Sequence, residues 1–400
     1  KMVDNKLNKK WKEDFFEIFA TKSDVKELEN ADKIKIEHFP PVLGQYYPSN
    51  IDEDTLIKLC EGKLFLTKSK KQPDYDDSLI KIDYEKVIKT QLNTLMQQQI
   101  AKLQEEDPNF LKDDEKEIIK KSSFPFIKLM TLVYSKDTKD MSCNDQKQWK
   151  EYMNQFITQQ IVFSIVNTYY TMKLYQDNIY TTLFQTPYNK DYVWKEYGYN
   201  HEGICVTYNF KEIRKIIIEQ LQKIFPVYYI NSKSDINYDV YNSVCASLLK
   251  TKDKINTYDN QWAYIMSYKY TETEYTMLDN LLEPVYTYSM THSKINEILN
   301  GNYLEIKDNQ LNYNYKKLIE NLVDVLNSNE FQEELNTKLQ EVYDITQNNI
   351  DIDFMKPEAV YLGRDFPEEK IKQIKEIVQK EDIMIFKIKQ SEDKLFKALI

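Results

Sequence analysis

An α+β fold, with a mostly β core and several long helices packed around it, is what the sequence predicts. Three observations carry that expectation. Short apolar or alternating runs bounded by turn residues recur along the chain, helical periodicity fills the stretches between them, and the two follow in irregular order. With 400 residues, 42% of them hydrophobic, the chain is long enough to bury a sizeable core.

The elements follow in order. Leu7, Trp11, Phe15, Ile18 and Phe19 recur at helical spacing, which predicts an amphipathic helix within residues 1–32. "KIKIEHF", residues 33–39, alternates apolar and polar positions and reads as a strand ended by Pro40-Pro41, and "KLFLT" (63–67) reads as a second strand. Helical periodicity covers residues 84–106, stopped at Asp107-Pro108, and residues 148–175, where apolar residues cover more than one face. Strands are expected in "IYTTLFQT", "GICVTYNF" and "FPVYYI", with a helix at 213–224 between the last two. Two helices lie within 311–343, split at Asn327-Ser328-Asn329. The end reads strand, helix, strand: "AVYLG", a helix opened by Pro367, then "IMIFKIK". Residues 33–400 are read as one large domain with helical insertions at about 84–180 and 311–345.

Composition removes several function classes. The net charge of −10 and a count of only two arginines, Arg214 and Arg364, argue against non-specific nucleic-acid binding. The six glycines form neither a P-loop nor a dinucleotide fingerprint, and no H-E-x-x-H, EF-hand or G-x-S-x-G motif occurs. Cys60, Cys143, Cys205 and Cys245 are widely spaced and read as reduced core residues, with no metal site expected. No apolar run approaches the ~20 residues that span a bilayer, and the opening segment lacks a signal-peptide core, so no membrane partner and a cytoplasmic location are expected.

Two stretches carry candidate chemistry. In "VWKEYGYNHEGICVTYNF" (193–210), Gly198 and Gly203 flank a turn, and Gly203 is expected at positive φ. Trp194, Tyr197 and His201 gather there, so they either form an aromatic ladder or offer a stacking surface and a titratable group to a nucleotide-like ligand in a concave pocket. In "YTETEY", Glu272 and Glu274 would face the same side of a strand, as an exposed charge pair or as catalytic carboxylates.

The first of these stretches resembles the central motif of a bacterial family designated domain of unknown function 2971, through Trp194, Tyr197, His201, Gly203, Ile204, Cys205, Val206 and Tyr208. Asp74, Asp77, Phe184, Glu272, Glu274 and Tyr275 match further blocks of that family in order. Tyr75 and Asp76 depart from its pattern, and Thr276 stands where arginine is usual. The resemblance implies a standalone bacterial protein with a role in antiviral defence, as a toxin or effector.

The order of a His38 strand, a strand leading to Thr67 and Ser69, and a late Glu-x-Glu is similar to that of ADP-ribosyltransferases. That analogy implies NAD as cofactor, with His38 on its ribose, Thr67 and Ser69 beside it, Trp194 or Tyr197 on nicotinamide, and Glu272 or Glu274 stabilising an oxocarbenium-like transition state. Two alternatives stand beside it. One is a non-catalytic binding or sensor subunit of a defence complex, meeting a protein partner or small ligand. The other is a metal-dependent nuclease using Asp74, Asp76 and Asp77 with the Glu-x-Glu pair.

Overall fold

The computed structural model describes residues 2–22, 25–72, 82–139, 141–185, 187–211, 215–230, 244, 248–251, 261–307, 310–391 and 394–400. The chain divides into two compact units, residues 1–81, 175–269 and 347–400 forming the first and residues 82–174 and 270–346 the second. The helical stretches read from the sequence as insertions belong mostly to the second unit.

The first unit opens with α1 (Met2–Thr21), α2 (Val25–Glu37), β1 (Val42–Tyr47), α3 (Glu53–Cys60) and β2 (Lys63–Lys68). The second then takes α4 (Tyr84–Glu106), α5 (Asp113–Lys121), α6 (Pro125–Asp137) and most of α7 (Cys143–Asp177). The first resumes with β3 (Ile179–Phe184), α8 (Asp191–Glu196), β4 (Ile204–Asn209), α9 (Lys215–Gln222), β5 (Ile224–Pro226), β6 (Tyr228–Ile230), β7 (Leu249–Thr251) and β8 (Trp262–Ser267). The second closes with α10 (Glu272–Thr291), α11 (Ser293–Leu299), β9 (Leu304–Lys307), β10 (Gln310–Tyr313), α12 (Tyr315–Leu326) and α13 (Asn329–Tyr343). β11 (Asn349–Asp353), β12 (Ala359–Leu362), α14 (Glu368–Lys380), β13 (Met384–Ser391) and β14 (Lys394–Leu399) complete the first.

The fold is α+β. In the first unit, one five-stranded sheet has the order β1-β4-β12-β13-β14 and another β11-β2-β3-β8-β5. Their facing side chains make one core: Ile204, Val206, Tyr208, Val360, Leu362 and Ile385 from the first sheet meet Leu64, Leu66, Tyr180, Phe184, Trp262 and Tyr264 from the second. Period-two alternation sends the intervening residues to the outer faces. Cys205, Tyr361 and Phe386 thus pack on Trp194 of α8, while Ile179, Ala263 and Ile265 pack on Phe15 and Phe16 of α1. β12 and β13 pair in parallel through α14, the crossover that the closing strand–helix–strand pattern predicts. The second unit has a helical core, with Ile157, Ile161 and Ile165 of α7 against Leu318 and Leu322 of α12 and Leu335 of α13.

The structure corrects two element assignments. Residues 33–37 belong to α2, so no strand carries His38. The alternation misleads because a lysine occupies the buried helix face: Lys35 is 2% exposed, with Nζ 4.5 Å from the centre of the Phe225 ring and 3.0 Å from Asp32 Oδ1. Glu272 and Glu274 open α10 instead of lying in a strand. Thr271 caps the helix by accepting from the Glu274 N–H, and the Glu274 carboxylate accepts from the Thr271 N–H at 2.7 Å, a reciprocal capping box.

Candidate functional site

The turn after α8 is built from strained backbone. Tyr199, Asn200 and His201 have φ of 52°, 53° and 71°, three successive residues in the left-handed region, at a cost of about 1–2 kcal/mol for each residue other than asparagine. Gly203, expected at positive φ, is not among them. Its role is close approach, since a Cβ there would sit 2.6 Å from the Tyr47 carbonyl oxygen. Hydrogen bonds hold the turn in place: His201 N–H donates to Trp194 O, and Gly203 N–H to Gly198 O. From the far end of the chain, Gly363 N–H donates to Gly203 O at 2.9 Å and Asp365 N–H to His201 O at 3.0 Å. The β4–β12 register, Ile204 opposite Leu362, brings these loops together.

His201 is 2% exposed, and its ring lies nearly parallel to that of Trp194 with centroids 6.4 Å apart. Its Nε2 lies 3.2 Å from Asp191 Oδ1, an ion-pair distance without hydrogen-bond geometry, and Nδ1 meets no polar partner. Burial lowers the imidazole pKa, the Arg364 charge lowers it further, and Asp191 and Asp365 oppose the shift. The Asp191 carboxyl is in turn held low by Lys195, 2.7 Å away. Arg364 grips Asp365 from Nε (3.1 Å to Oδ1) and Nη2 (2.9 Å to Oδ2), and its Nη1 donates to Gln390 Oε1. That grip keeps the Asp365 carboxyl low. The buried imidazole thus sits between two ion pairs, Lys195 with Asp191 and Arg364 with Asp365.

Arg364 also borders a cavity of about 650 Å³, lined by Glu368, Ile371, Lys387, Lys389 and Gln390 among others. Lys387 Nζ donates to Phe366 O and Glu368 Oε1, and Lys389 is exposed. Among the described residues, three cations and one carboxylate therefore line this cleft, whereas the whole chain carries −10.

The residues singled out from the sequence are only partly gathered here. Trp194 and His201 come together, yet Trp194 is fully buried, its indole N–H on Tyr188 O and its ring edge-on to Tyr46, so it presents no stacking face to a ligand. Tyr197 ends α8 and is half-buried. None of the three lines the cleft. His38 follows the end of α2, its Nδ1 2.8 Å from Ile34 O and its ring stacked on Trp11 at 4.4 Å. Trp11 in turn stacks on Trp262 of β8. Thr67 bonds Asn349 Oδ1 and pairs across β3 with Thr181, itself opposite Ile265. Two strand spacings and three residues of rise put Thr67 about 14 Å from Trp262. Neither His38 nor Thr67 lines the Arg364 cleft. Ser69 is buried in the short 3₁₀ turn after β2, and Glu272 and Glu274 belong to the second unit. Asp74, Asp76 and Asp77 lie outside the described residues.

Sequence reasoning missed Asp191, Arg364, Asp365, Lys387 and Lys389. The one available signal was Arg364 itself, a rare arginine directly after a buried strand. Among the described residues no group of three or more His, Cys, Asp or Glu side chains is arranged to hold a metal ion. Comparison with known protein families, with curated proteins and with solved structures finds no match to this chain.

Proposed function

We propose that the protein is a binding or sensor module for a small phosphate-bearing ligand of the nucleotide class, NAD included, and that the Arg364 cleft holds the phosphate. The single observation that carries this reading is the concentration of Arg364, Lys387 and Lys389 around one cavity whose lining includes, among the described residues, one carboxylate, Glu368, with Asp365 paired to Arg364. A guanidinium already held in plane by Asp365 and Gln390 loses little freedom on meeting a phosphate, and Lys389 adds a mobile point charge. The cleft volume lies within the range of about 300–1,000 Å³ usual for small-molecule sites. Binding is favoured over turnover because the imidazole nearest Arg364 is sealed in the turn and Glu368 is engaged by Lys387.

Calorimetric titration with ATP, ADP-ribose, NAD⁺ and inorganic phosphate tests the reading. At least one nucleotide should bind, with affinity reduced about tenfold or more in Arg364→Gln/Lys389→Gln, a loss of roughly 1.4 kcal/mol. Absence of binding at millimolar ligand, or equal binding by the variant, overturns it. Release of nicotinamide from NAD⁺ would favour the transferase alternative instead.

A further inference from the structure

The second unit holds a different cavity, of about 620 Å³, between α6 and the strand β10. Lys128, Thr131, Ser135 and Lys139 recur along one side of α6 and its C-terminal extension, at intervals of three or four residues. Eleven residues of helical rise separate the two lysines by about 16 Å. At the Lys128 end the floor is apolar, with Phe124 and Ile127 buried and the Tyr315 ring 4.8 Å from that of Phe124. Opposite, Asn312 has an exposed side-chain amide that offers both a donor and an acceptor.

The charge around this groove is unbalanced. Among the described residues, no aspartate or glutamate lines it and neither Lys128 nor Lys139 has an ion-pair partner. Three nearby carboxylates are engaged elsewhere, Glu85 by Lys89 and Tyr315, Glu115 by Lys136, and Asp145 by Ser142, while Asp137, two residues before Lys139, is half-buried and its pKa is raised by that burial. Lys136, on the same helix, shows what a locally satisfied lysine looks like, held 2.6 Å from Glu115.

We infer that this groove binds an extended acidic peptide segment, with one carboxylate on Lys128, a second on Lys139 and apolar side chains on the Phe124 floor. A ligand that meets each ammonium at its own end of the groove must be elongated. An extended chain at about 3.3 Å per residue covers the interval in about five residues. Asn312 suits an exposed peptide unit of such a chain, and the flanking hydroxyls suit its polar side chains. The inference is independent of the Arg364 cleft, which lies in the other unit.

Selection of a randomised heptapeptide display library on the full chain tests it. Enriched peptides should carry two acidic residues four or five positions apart, and fluorescence anisotropy of a labelled enriched peptide should show binding weakened about tenfold or more by Lys128→Glu or Lys139→Glu. Lys120→Glu on α5, outside the groove, should leave binding unchanged, and circular dichroism should report a folded chain for all three variants. Failure to enrich acidic peptides overturns the inference, as does equal binding by folded Lys128→Glu and Lys139→Glu. So does a heptapeptide whose binding survives replacement of both acids by their amides. Citrate or ATP competing for the groove where no heptapeptide binds would make it a small-anion site and overturn the peptide assignment.

Discussion

Asp191 Oδ1 stands 3.2 Å from Nε2 of His201, an imidazole 2% exposed in a turn of three left-handed residues. The pair sits where the loop after α8 meets the loop after β12, next to Arg364 and Asp365. Its titration should be legible in stability. Burial depresses the folded-state pKa of His201 below its unfolded value of about 6.5, so the unfolded chain binds the proton more readily. Nothing is lost well above about pH 6.5, and stability falls as the pH drops below it toward the folded-state pKa. Thermal unfolding between about pH 7.5 and about pH 5 should therefore decline more steeply for the parent chain than for His201→Gln. Parallel declines would show that His201 does not titrate between the two states.

Gly363 is the tightest point of the same junction, since a Cβ there would lie 2.0 Å from the His201 carbonyl oxygen. Backbone, not a movable side chain, stands in the way. Gly363→Ala should cost about 3 kcal/mol or more, measured by urea denaturation, or abolish soluble expression. A cost below about 1 kcal/mol would mean that the two loops can part without penalty.

Lys68 and Asp177 form a buried ion pair at 2.8 Å, 2% and 8% exposed, with Lys70 at 3.9 Å from the same carboxylate. Asp177→Asn removes the anion facing Lys68 and should destabilise the chain by about 3 kcal/mol. Lys68→Met/Asp177→Leu should recover part of that loss, because it removes the buried charge together with its partner. Chemical denaturation of the three chains checks the order.

The capping box at Thr271 and Glu274 predicts a contrast between conservative and disruptive changes. Thr271→Ala should cost about 1 kcal/mol, while Glu274→Gln, which keeps an acceptor for the Thr271 N–H, should cost much less. A larger loss from Glu274→Gln would assign that carboxylate a further role.

Thiol labelling should separate the cysteines. Cys143 is exposed, a correction to its reading as a core residue, and should react readily with Ellman's reagent in the native state. Burial pushes the Cys60 thiol up to about 12 and raises Cys205 as well, so both should react only after denaturation. Fast labelling of Cys60 and Cys205 would contradict the burial of α3 and β4, and Cys245 lies outside the described residues.

The sequence by itself determined the elements whose signals are local. The buried strand at 204–209, the long helices and the closing strand–helix–strand all follow from continuous burial or helical periodicity within a dozen residues. Even the Glu272 misreading had a local answer, since Thr-x-x-Glu is a helix-start signature. Tertiary structure alone decided what those elements bring together. Lys35 can occupy a buried helix face because the Phe225 ring and Asp32 receive its charge, and Phe225 is far away in sequence. The environment of His201 was likewise out of reach. Val206 pairs with Val360 and Ile204 with Leu362, and that register carries Gly363, Arg364 and Asp365 onto a turn more than 150 residues earlier. Pairing between distant strands is fixed by the fit of two apolar faces, and no window of sequence contains both.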